Sequence, residues 1–167
     1  EYDYLIDVLF AEAALETRQT NWDKVLAIYT QIEEDFPSDP RAAEAALKKA
    51  DTLMALGKRQ EASEKYEEIL KSPSWRGESY AEALFKLGNI ARDAKDSNKA
   101  IMYYERCFLG YANCYNWTGK AVIQAAKVLA AEGKRDEGRA ICKEFVGNEE
   151  NKKSPDYEEV KQLELTI

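Results

Sequence analysis

Four segments of the chain superpose on one another at a nearly constant offset, and this regularity limits the fold more than any other feature. The short polar turns at their centres align on Thr20, Gly57, Lys95 and Gly133, at spacings of 37, 38 and 38 residues. A fixed period in this range marks stacked repeats, in which each unit buries its apolar face only against its neighbours. The segments run over about 5–37, 42–73, 80–111 and 118–147. Within each, apolar residues recur at three- and four-residue steps and never alternate for long, so each reads as two helices joined by a turn. In the third segment Leu84, Leu87, Gly88 and Ala91 form one face of the first helix, and Ala100, Tyr104 and Cys107 form the facing side of the second. The matching second-helix trios are Val25-Tyr29-Ile32, Ala62-Tyr66-Ile69 and Gly138-Cys142-Phe145. Ala13, Ala50, Gly88 and Ala126 put a small residue where paired helices cross, and the aromatic of each of the first three trios fills the gap between hairpins.

The turn residues agree with this reading. Gly57 and Gly133 stand where a helix ends in the left-handed conformation. Thr20 or Asn21, and Asp96 or Ser97, can cap the helix that follows. Pro37, Pro40 and Pro73 fall after second helices and block their continuation. A last amphipathic run through Tyr157, Val160, Leu163 and Ile167 predicts a capping helix over about 156–167. The expected architecture is a single all-α domain over 1–167, an array of four helical hairpins with a C-terminal cap.

Composition narrows the chemistry. The chain has no His, which removes the Ser-His-Asp triad, the Cys-His dyad and every His-ligated metal site. Cys107, Cys114 and Cys142 match no Cys-x-x-Cys spacing; they read as buried or incidental thiols, with a Cys107–Cys114 bridge as the alternative. The net charge of −7 argues against unspecific phosphate binding, so no nucleic acid is expected as partner. No phosphate loop, calcium loop or nucleophile elbow is present, and the acidic runs, such as Glu33-Glu34-Asp35, read as solvated surface. Neither a catalytic residue nor a metal or other cofactor is predicted. No run approaches the length of a membrane span, and the chain shows no signal peptide. Its opening at Glu1-Tyr2-Asp3, without Met, reads as a processed or excised segment.

The third segment carries a family resemblance. Ala81-Glu82-Ala83-Leu84-Phe85-Lys86-Leu87-Gly88-Asn89, followed by Asn98-Lys99-Ala100-Ile101-Met102-Tyr103-Tyr104-Glu105, resembles the tetratricopeptide repeat signature. The second segment matches through Ala50, Gly57, Ala62, Tyr66 and Ile69, but has Lys49 where the family usually has Leu. The first departs at Glu12 and Glu16, and the fourth at Gly138. The resemblance implies a right-handed α-α superhelix whose first helices line a concave surface. The long period, with extra residues at 72–79 and 112–117, is similar to bacterial cell-envelope members of the family. That likeness implies the periplasm or cell envelope as the location, with the cytoplasm as the alternative.

On such an array the inner face can be named. Phe10, Leu47, Phe85 and Ile123 form one apolar ladder, which either packs between first helices or touches a ligand. Lys48, Lys86, Asp51, Asn89, Arg92 and Lys127 flank it; the Lys and Arg groups read either as solvated groove lining or, with the other polar groups, as fixing register and selecting acidic or amide-bearing segments. Leu47 and Phe85 stand where the family's carboxylate clamps need polar residues, so that mode of binding is not expected. A second aromatic surface, Tyr111, Tyr115 and Trp117 with Trp75, reads either as interface anchors or as cover for hairpin ends, and Trp22 reads as packing. The leading expectation is a non-catalytic module that binds a protein or peptide. The alternatives are a glycan- or peptidoglycan-binding domain, an enzyme built on the same hairpins, and self-association through an apolar end at Tyr2, Tyr4 and Leu5.

Overall fold

The computed structural model describes the backbone of residues 2–167 and the side chains of residues 4–167. Its helices are α1 (Tyr2–Arg18), α2 (Trp22–Asp35), α3 (Ala42–Ala55), α4 (Arg59–Ile69), α5 (Glu78–Asp93), α6 (Ser97–Gly110), α7 (Tyr115–Ala131), α8 (Arg135–Gly147) and α9 (Tyr157–Thr166). Short 3-10 turns lie at Pro73–Trp75 and Glu149–Lys153, and the described residues contain no strand. Contacts divide the chain into two compact units, 1–75 and 76–167.

The four hairpin turns are copies of one another in hydrogen bonding as well as in sequence. In each, the aligned residue takes a positive φ: Thr20 at 58°, Gly57 at 75°, Lys95 at 65° and Gly133 at 81°. The next amide reaches back five residues, from Asn21 to Glu16, Lys58 to Leu53, Asp96 to Ala91 and Lys134 to Leu129, at 2.9–3.0 Å. This is the Schellman closure, which satisfies carbonyls that a helix end would otherwise leave open. Thr20 is therefore the left-handed terminator of α1. Asn21 and Asp96 are the N-caps, and of these only Asp96 caps with its side chain, accepting from the Lys99 amide at 3.0 Å. A β-branched residue in this conformation is strained by about 1–2 kcal/mol. Thr20→Gly is accordingly expected to raise the unfolding free energy by about 1 kcal/mol, read from the urea midpoint. No gain would mean that the turn is not held in this form.

In the first unit α1 packs on α2, α2 on α3, and α3 on α4. Ile6, Leu9, Ala13, Val25, Tyr29 and Ile32 form its first core, and Ala50, Ala62, Tyr66 and Ile69 are fully buried in its second hairpin. Lys49, the departure from the family pattern, is neutralised across the fold. Glu33 on α2 accepts Lys49 at 2.8 Å and Lys65 of α4 at 2.6 Å, and all three side chains are 20% exposed or less. Charges this deep persist only when paired, so the acidic run 33–35 is not wholly solvated surface.

In the second unit α5 packs on α6, α6 on α7, α7 on α8 and α8 on α9. Gly88 of α5 lies against the buried ring of Tyr104 on α6, so closely that an added Cβ would stand 2.6 Å from the ring's Cδ1. The cap forms as predicted: Val160 of α9 is wholly buried against Val122, Ile123, Ala126, Cys142 and Phe145. The loop expected at 112–117 is shorter, because α7 begins at Tyr115. The Cys114 carbonyl accepts from the amides of Trp117 and Thr118, at 2.9 and 3.1 Å, and starts the helix there.

Candidate functional site

The residues proposed from the sequence lie on the first helix of each hairpin. Two of them hold a tyrosine. Tyr66 of α4 donates its hydroxyl to Oδ1 of Asp51 on α3 at 2.5 Å, and Tyr104 of α6 donates to Oδ1 of Asn89 on α5 at 2.8 Å. The two bonds occupy equivalent repeat positions. The first hairpin has Ala14 in that place and the fourth pairs Lys127 with Cys142, so neither can make the bond. Burial pushes the Tyr104 hydroxyl up to about 12, which keeps it a donor at any physiological pH.

The apolar ladder divides by burial. Leu47 and Ile123 are 6% and 3% exposed, so their side chains are core. Phe10 and Phe85 are half-buried. Phe10 meets Tyr29 edge-on at 6.0 Å and lies under the Arg41 guanidinium at 5.6 Å. Phe85 stands between Tyr104 at 6.0 Å and Trp117 at 5.6 Å, and Lys120 sits 4.8 Å over the Trp117 ring.

The polar groups are less enclosed. Lys48 on α3 is exposed and Lys86 on α5 half-buried. Arg92 is held by its neighbours, donating to Oε1 of Gln124 on α7 at 2.6 Å and to Asp93 at 2.8 Å. Lys127 meets Glu159 of α9 at 3.5 Å with both side chains more than half exposed, a loose pair. The second unit thus places α5, which carries Phe85, Lys86, Asn89 and Arg92, against α7, which carries Ile123 and Lys127. Sequence reasoning missed Lys120 and the partnership of Gln124 with Arg92. The i, i+3 spacing of Trp117 and Lys120 carries the first signal, but it is legible only once α7 is known to start at Tyr115.

The other aromatic residues mostly cover hairpin ends. Tyr111 meets Tyr80 at 5.8 Å, Lys153 lies over Tyr115 at 5.6 Å, Trp22 packs on the first core, and Trp75 is half-buried in the 3-10 turn. At the amino end Tyr4 and Leu5 are exposed, as are Val8 and Leu15 of the same helix, while the side chain of Tyr2 lies outside the described residues.

The three cysteines are free and buried. Burial is the main cause that pushes Cys107 up to about 12 and Cys114 and Cys142 up to about 11. Only the thiolate reacts, and at pH 8 a thiol titrating this high is almost wholly protonated. All three are expected to resist a disulfide reagent at pH 8 in the native protein and to react promptly in urea; rapid native labelling would contradict the buried assignment. A raised thiol pKa also means that folding favours the protonated form. That contribution is present below the ordinary thiol range and is lost as pH rises through 11 to 12.

Among the described residues no group of three or more Cys, Asp or Glu is placed to hold a metal ion, and no helix is long and apolar enough to cross a membrane.

Residues 81–109, within the α5–α6 hairpin, match the sequence model of the tetratricopeptide repeat. The chain carries that repeat, and its fold throughout is that of tetratricopeptide repeat proteins. A tetratricopeptide repeat protein from Parabacteroides merdae is similar over 95% of this chain and 58% of its own, with 12% identity and a TM-score of 0.70. BtubC (BKLC) from P. vanneervenii is similar over 99% and 65%, with 17% identity and a TM-score of 0.71. MamA protein is similar over 96% and 90%, with 15% identity and a TM-score of 0.62. The chain therefore spans about three fifths of the first two. No curated protein matches the sequence.

Proposed function

We propose that the chain is a non-catalytic interaction module that binds an acidic or amide-bearing protein segment through the first helices of its hairpins. The repeat at 81–109 and the fold support a protein-interaction role in general. The finer reading is carried by one observation. At the proposed positions the one carboxylate, Asp51, accepts the Tyr66 hydroxyl, while Lys48 stays exposed and Lys127 is exposed and only loosely paired with Glu159. Cations at these positions attract a segment of the opposite charge, and in the second unit Phe85 with Trp117 supplies apolar contact beside Lys86 and Lys120. The resemblance to envelope members of the family further suggests a place within a larger bacterial envelope protein.

A photo-crosslinking residue at position 48 or 127 tests the face. Adducts with the bound partner are expected from these positions and not from exposed Glu64 on α4 or Glu137 on α8. The reverse pattern would put the binding surface on the second helices.

A further inference from the structure

The first helix is apolar on two sides. Ile6, Leu9 and Ala13 are buried in the first core, each 6% exposed or less. Tyr4, Leu5, Val8 and Leu15 are 76%, 45%, 42% and 53% exposed. Seven large apolar side chains are exposed among the described residues, and these four share one helix. At 3.6 residues per turn, Tyr4, Val8, Ala11 and Leu15 fall in one stripe on the side away from that core, with Leu5 along its edge. Steps of four, three and four residues are those of a seam between paired helices. A helix on a protein surface needs one apolar stripe to dock on its own core, and a second, left open, marks an interface.

Charge decides what fits the seam. No charged residue interrupts the stripe from Tyr4 to Leu15, and one carboxylate borders each edge, Asp7 on one side and Glu12 on the other. Asp7 touches Arg41 yet its side chain stays 64% exposed, and Glu12 is exposed. Glu16, one turn beyond Glu12, is held by Asn21 and Lys24, and Arg18 lies past the end of the stripe. The wider field has the sign of the two edges. The first unit carries 16 Asp and Glu against 9 Lys and Arg, a net of −7, whereas the second carries 15 of each. All the net charge of the chain therefore belongs to the unit that bears the seam. Two such units repel, which opposes a second copy as the occupant, and a cationic partner is attracted. We propose that the outer seam of α1 docks a basic amphipathic helix of a partner protein. Its apolar residues, at three- and four-residue steps, would lie on Tyr4, Val8 and Leu15, with Lys or Arg on either side beside Asp7 and Glu12. This surface is apart from Lys48 and Lys127, and it stands whether or not that face binds.

The test titrates the whole chain with three synthetic peptides, read by fluorescence anisotropy and amide chemical shifts. One is a helix with a leucine seam flanked by Lys, the second has the same seam flanked by Glu, and the third scrambles the first so that its charge remains and its seam is lost. The Lys-flanked helix is expected to shift residues 4, 8, 11 and 15 and to bind about tenfold more tightly than the Glu-flanked one, by a margin that salt reduces. Glu12→Lys should narrow that margin. Val8→Ser combined with Leu15→Ser, both at exposed positions, should abolish binding at an unchanged unfolding midpoint. Equal binding of the scrambled peptide, no preference for Lys over Glu flanks, or shifts confined to other residues would overturn the proposal. Self-association of the chain that the double serine variant abolishes would give the seam to a second copy instead. Val8→Cys should react with a thiol reagent as fast in any longer form of the protein as in this chain, whose own cysteines are buried. Slow reaction in the longer form would assign the seam to the protein's own remaining residues and overturn the partner.

Discussion

Gly88→Val is expected to lower the unfolding free energy by about 3 kcal/mol, the upper end of what overpacking a filled core costs. The cause is the Tyr104 ring, which is wholly buried and would lie within 2.6 Å of the first added carbon. It cannot retreat, since Phe85 packs against it and its hydroxyl is tied to Asn89. Gly88→Ala should cost somewhat less, because alanine recovers helix propensity that glycine lacks. Gly110, the last residue of α6, is the control: an added Cβ there meets nothing, so Gly110→Ala should be neutral or mildly stabilising. Denaturation midpoints check all three. If Gly88→Val matched Gly110→Ala, the α5–α6 contact would not be as close as described. Combining Gly88→Ala with Tyr104→Leu should cost less than the two changes summed, because the smaller side chain removes the clash.

Tyr66→Ala should be the more damaging change in the first unit, at about 4 kcal/mol, because Tyr66 is fully buried and its loss leaves a cavity in the α3–α4 hairpin. The phenylalanine variants separate packing from hydrogen bonding. Tyr66→Phe removes a bond to a carboxylate and should cost about 2 kcal/mol, whereas Tyr104→Phe removes a bond to a neutral amide and should cost about 1 kcal/mol. Calorimetric or urea unfolding of the pair decides the point. The opposite order would mean that Asp51 does not depend on the tyrosine hydroxyl.

These two loci also mark what the sequence could and could not tell. The period alone located every hairpin turn, because helix termination imposes a local backbone demand that Gly57 and Gly133 meet openly. Thr20 and Lys95 meet it under strain, and only alignment with the glycines discloses it. The buried trios and the capping helix followed from three- and four-residue spacing, which is a property of single helices. Pairings between helices were less legible. Lys49 looks like a flaw until Glu33 and Lys65 are brought beside it, and no spacing along the chain announces that Asp51 and Asn89 each receive a tyrosine hydroxyl. The start of α7 is hidden in the sequence because Tyr115 and Trp117 resemble loop anchors in isolation, although Cys114 stands at the N-cap of a helix there.

The central claim is that cationic groups on the first helices select what the chain binds. A randomised peptide array, read with the wild-type chain and with the variant carrying Lys48→Glu, Lys86→Glu and Lys127→Glu, tests it most directly. The account predicts that wild type enriches acidic and amide-bearing peptides with apolar residues between them, and that the variant loses this preference or turns to basic peptides while unfolding at a similar midpoint. Identical peptide preferences for a folded variant and the wild type would contradict it.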